Sequence, residues 1–72
     1  MTNSENLAYT VLTEEEPYDY GWIKYVYRNE GMDGLRNIAK ATIEGYAPEN
    51  ASKQLIGRAA TIVANRLCWF VN

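Results

Sequence analysis

The chain has no histidine and only one cysteine, Cys68, in its 72 residues. Without histidine there is no imidazole base and no Ser-His or Cys-His pair, which removes the usual routes to acid–base and nucleophilic catalysis. One thiol cannot close a disulfide within the chain, and it cannot supply the four ligands of a structural zinc. Cys68 stands in Leu67-Cys68-Trp69-Phe70, an apolar setting that favours a buried, inert thiol. Long apolar runs are missing too, and none approaches the roughly 20 residues of a membrane span. Met1-Thr2-Asn3-Ser4-Glu5-Asn6 is polar, with none of the basic start of a secretory signal. A phosphate loop is absent: Gly31-Met32-Asp33-Gly34 lacks the glycine spacing and the lysine of that motif. These absences predict a cytoplasmic chain that is not an enzyme, with no catalytic residues, no metal and no cofactor.

Seventy-two residues make one domain, spanning 1–72, with residues 1–6 expected as a flexible tail. The hydrophobic share, 47%, is that of a globular chain and too high for a disordered one. A domain this small has a thin stability margin, which disulfides, a metal or an oligomeric partner usually widen. With the first two excluded, a homo-oligomer such as a homodimer is the remaining device. The charges are sorted along the chain. Residues 1–33 carry seven acids against Lys24 and Arg28, a net −5, and residues 34–72 carry five bases against Glu44 and Glu49, a net +3. Two such halves can pair within the fold or across an interface.

The expected architecture is α+β. Residues 7–13 and 20–28 read as an antiparallel β-hairpin, because both are rich in β-branched and aromatic residues. Alternation places Leu7, Tyr9 and Val11 on one face of the first strand. In the second it separates Ile23, Tyr25 and Tyr27 from Trp22, Lys24, Val26 and Arg28. Glu14-Glu15-Glu16-Pro17 is poor strand material and becomes the hairpin tip. Two antiparallel helices follow, at 34–44 and 48–67. Asp33 is a good N-cap for the first, and Leu35, Ile38, Ala39, Thr42 and Ile43 form its apolar stripe. Gly45 stops it, and Pro48 suits the first turn of the second. Residues 67–71 are too apolar for a free tail and either extend the second helix or add a short C-terminal strand. The alternative architecture is all-α, with 19–29 helical from an N-cap at Asp19 and a stripe of Trp22, Tyr25 and Val26.

Aromatic crowding is the most unusual feature. Tyr18, Tyr20, Trp22, Tyr25 and Tyr27 fall within ten residues, next to Glu14, Glu15, Glu16 and Asp19. Tyrosine and tryptophan dominate binding hot spots, since each buries a large area at modest entropic cost. A core this small cannot take all five. Tyr18, Tyr20, Trp22 and Tyr25 are therefore expected as anchors for a partner, with Glu14, Glu15, Glu16 and Asp19 steering the approach to a basic surface. The same carboxylates disfavour nucleic acid as the partner, because they repel phosphate.

In length, acidity, cysteine poverty and lack of motifs the chain resembles in kind the small inhibitors of phages and mobile elements, including anti-CRISPR and other anti-defence proteins. The resemblance implies an inhibitor or adaptor docking on a larger protein or complex. The alternatives are a nucleic-acid-binding regulator using the helical half, with Arg36, Lys40, Lys53 and Arg58, and a homo-oligomeric scaffold.

Overall fold

A computed structural model describing residues 2–72 resolves the chain into three helices: α1 (Asn3–Glu14), α2 (Tyr20–Tyr46) and α3 (Lys53–Val71). No strand occurs among the described residues. The expected α+β hairpin is therefore corrected to a small all-helical domain. Residues 7–13 lie within α1, residues 20–28 form the first arm of α2, and residues 67–71 lengthen α3 instead of adding a strand.

Local chemistry accounts for the correction. Thr2 caps α1 through a reciprocal pair. The Glu5 N–H donates to the Thr2 hydroxyl at 3.2 Å, and the Thr2 N–H donates to the Glu5 carboxylate at 3.2 Å. The Thr2 N–H first, and then the Thr2 hydroxyl, which also donates to the Glu5 carboxylate, hold the Glu5 carboxyl below its ordinary pKa. Residues 3–6, expected as tail, are thus the first turn of a capped helix. Met1 lies outside the described residues. From that start Ala8, Val11 and Leu12 fall on one buried stripe, a helical period hidden inside a run of β-formers. Asp19 likewise caps α2, its carboxylate accepting from the Trp22 N–H at 3.1 Å, and Ile23 and Val26 turn inward. β propensity records how well a side chain fits a half-buried pleat. It yields where caps and a 3.6-residue period agree on a helix.

The segment 34–44 is helical but is not a separate element. It is the second arm of α2, which continues to Tyr46 and bends at Gly31. Gly31 has φ 68° and ψ −155°, a region open essentially to glycine alone. Three residues on, the bend brings the arms so close that a Cβ on Gly34 would stand 2.6 Å from Glu30 Cβ and 2.8 Å from Val26 Cγ1. Beyond the corner, Leu35, Ala39 and Ile43 are buried and Ile38 and Thr42 half-buried. The third helix starts at Lys53, later than the expected 48. The Ser52 hydroxyl accepts from the Leu55 N–H at 3.0 Å, and Pro48 stays in the preceding loop.

α3 is the common partner, packing on both other helices, while α1 and α2 meet less extensively. Its buried stripe is Ala59, Ala60, Val63, Ala64 and Leu67. Among the described residues the buried core is aliphatic, and five of its thirteen members are alanine.

The glycines divide accordingly. Gly31→Ala is expected to cost ~1–3 kcal/mol through backbone strain. Gly34→Ala is expected to cost a similar ~1–3 kcal/mol through overpacking. Gly57, with open space where a Cβ would go, should gain ~0.5–1 kcal/mol as alanine. Urea unfolding of the three variants checks both signs.

Candidate functional site

The buried core is made of aliphatic residues and alanine, and no ring is part of it. None of the six Tyr, two Trp and one Phe is fully buried. The largest exposures are Trp69 at 71%, Tyr25 at 61% and Trp22 at 53%. Aromatic rings usually carry much of a small core, so nine of them at or near the surface need another reason to be there.

Six of the nine rings form two connected groups. Trp22 and Tyr25, one turn apart on the first arm of α2, stack with centroids 6.0 Å apart and planes at 19°. The second group joins the start of α2 to the end of α3. Tyr18 and Tyr20 meet edge to face at 5.7 Å, and Phe70 lies 5.9 Å from Tyr18 and 6.0 Å from Tyr20. Trp69 continues the group at 5.5 Å from Phe70. The Arg66 guanidinium sits 5.8 Å from the Trp69 ring and 6.0 Å from the Tyr9 ring, within cation–π range of both.

The expected anchors are thus distributed by helical and not strand geometry. Trp22 shares its exposed side with Tyr25, three residues away, whereas alternation had set the two on opposite faces. Tyr20 is exposed and belongs to the Phe70 group. Tyr18 is half-buried and has a structural task, since its hydroxyl donates to the Leu12 carbonyl and ties the link between α1 and α2 back onto α1. Burial first, and then the charge of Glu16, hold its phenol above the ordinary tyrosine pKa.

Glu14, Glu15, Glu16 and Asp19 are all exposed. They line the end of α1 and the link, not a hairpin tip. Glu15 accepts a 3.3 Å hydrogen bond from the Tyr46 hydroxyl, which fastens the link to the far end of α2. Burial and the nearby Glu15 charge hold the Tyr46 phenol above its ordinary pKa. Among the described residues, no three His, Cys, Asp or Glu side chains converge to hold a metal ion. No helix among them is long and apolar enough to cross a membrane.

Tyr9, Arg66, Trp69 and Phe70 were not among the expected anchors. For Arg66, Trp69 and Phe70 the signal lay in the helical period of α3. Carried past residue 67, that period turns Trp69 outward one turn after Arg66. No protein-family model, curated protein or solved structure matches the chain.

Tyr18→Phe should cost ~1 kcal/mol at neutral pH by removing the bond to Leu12. A raised phenol pKa favours the protonated form in the folded state. The stability it confers is therefore complete below the ordinary tyrosine pKa near ~10 and declines as pH rises through the folded value. The variant should show a shallower alkaline loss of stability than the wild type in thermal melts across that window.

Proposed function

We propose that this chain is a non-enzymatic binding module, an inhibitor or adaptor that docks on a larger protein, in the manner of the anti-defence inhibitors it resembles in size and composition. The observation that carries this reading is the exclusion of both tryptophans and the phenylalanine from the core. Trp22 and Tyr25 form a pre-stacked pair on one rigid helix, so little conformational entropy is lost when a partner covers them. Tyr20, Trp69 and Phe70 extend the aromatic surface toward the end of α3.

The carboxylates add direction. Glu14, Glu15, Glu16 and Asp19 lie within the stretch that leads into the aromatic arm, so a basic partner surface would be drawn to the same end of the molecule. The basic side chains support a nucleic-acid reading less well. Arg36 is paired with Asp33, and Arg66 is engaged with Tyr9 and Trp69.

Capture from native host lysate tests the reading. Three tagged chains are compared: wild type, Trp22→Ala/Tyr25→Ala, and Glu14→Gln/Glu15→Gln/Glu16→Gln. The aromatic variant should fold and lose the captured protein by roughly tenfold or more, as hot-spot residues do. The glutamine variant should mainly slow association and flatten its salt dependence. If both variants fold and retain that protein at wild-type levels in low and high salt, the assigned surface is wrong.

A further inference from the structure

One cavity is walled by all three helices and the link between the first two. It measures about 340 Å³ and is partly open to solvent. Leu12, Ile23, Ala39, Val63 and Leu67 give it an apolar lining, and half-exposed Trp22 contributes to its wall. That volume lies at the small end of the ~300–1,000 Å³ typical of ligand sites, enough for one large apolar side chain.

The charge around it has one sign. Among the described residues, the charged ones on the cavity wall are Glu15 and Asp19, both exposed. Each already accepts one hydrogen bond, from the Tyr46 hydroxyl and the Trp22 N–H respectively. Neither has a cationic partner, since the ion pair among the described residues is Asp33 with Arg36. An ionised carboxylate has acceptor capacity beyond one such bond. The cavity thus pairs an apolar floor with two carboxylates that no cation among the described residues pairs with.

We infer that the cavity is the anchor seat for a basic partner segment, in which an apolar side chain enters the cavity and an adjacent lysine or arginine meets Glu15 and Asp19. The inference rests on the reading of the chain as a protein-binding module and names the chemistry that its partner presents. The apolar residue supplies affinity by leaving water, and the neighbouring cation selects against neutral and acidic segments.

The test is a titration of the ¹⁵N-labelled full chain with acetyl-Phe-Arg-amide, acetyl-Phe-Gln-amide and acetyl-Phe-Glu-amide, read by amide chemical shifts. The arginine peptide should move the amides of Ala39, Val63 and Leu67 saturably. It should bind about threefold or more tightly than the glutamine peptide, a surface ion-pair effect, with the glutamate peptide weakest. Added salt should narrow the difference. In Glu15→Gln/Asp19→Asn the preference should vanish while the fold persists, because asparagine still caps α2 and glutamine still accepts from Tyr46. Shifts confined to Trp69 and Phe70, or equal affinities for the three peptides, would overturn the inference. So would the same cavity amides moving on simple concentration of the protein, which would mean a second copy fills the cavity. The two readings fail separately. Loss of partner capture in Tyr25→Ala, whose ring is not on the cavity wall, with no peptide response sinks only the cavity. Ordered peptide binding with undiminished capture sinks only the aromatic docking surface.

Discussion

Close approach of α3 to its neighbours governs the rest of the molecule. Ala59, Ala60 and Ala64 on α3, with Ala39 on α2 and Ala8 on α1, bring the backbones together. At the Gly31 corner the absence of a side chain on Gly34 lets the two arms of α2 touch. Val, Leu and Ile complete the buried part of the interior between these helices, and no ring is buried with them. The aromatics then have only the rim and the outer faces to occupy.

A surface built this way works against the stability of the free chain. Exposed rings forgo burial that would be worth a few kcal/mol each in a core. The acidic run adds to the imbalance. Glu14 ends α1 and Glu15 is its C-cap, where the helix dipole disfavours negative charge, and no basic residue stands in that last turn. Rings and carboxylates are both arrangements that a basic, partly apolar partner would turn favourable. A domain with a thin margin is expected to break local rules mainly where function requires it. The same region holds the Tyr18 tie to Leu12 and the Tyr46 bond to Glu15, which fix the link in place as preorganised binding surfaces require.

The amphipathic period of the second half was legible in the residues. Leu35, Ile38, Ala39, Thr42 and Ile43 lie on the inward side of α2, and the small residues of α3 line its close contacts. The first half misled because Tyr9, Val11, Trp22, Ile23, Tyr25, Val26 and Tyr27 all favour strands by composition. Two caps outweighed that bias: Thr2 with Glu5, and Asp19. Asp19 stands out as a cap, whereas Thr2 and Glu5 fall in a polar stretch that has the composition of a tail. Gly31 marked a break in the sequence, but a bend within one helix and a loop between two elements carry the same glycine. Of the aromatic surface, the part on α2 followed from crowding alone. The part at Trp69 and Phe70 required knowing that α3 runs to Val71.

The central claim is that the two tryptophans belong to the surface of the folded monomer. Acrylamide quenching of Trp22 in Trp69→Phe, and of Trp69 in Trp22→Phe, measures this directly at a dilution where light scattering gives a monomer. With exposures of 53% and 71%, each ring should be quenched at about half the slope of the urea-unfolded chain or more, with emission near that of the unfolded state. A strongly shielded, blue-shifted tryptophan in a folded monomer would place that ring in the core and contradict the account.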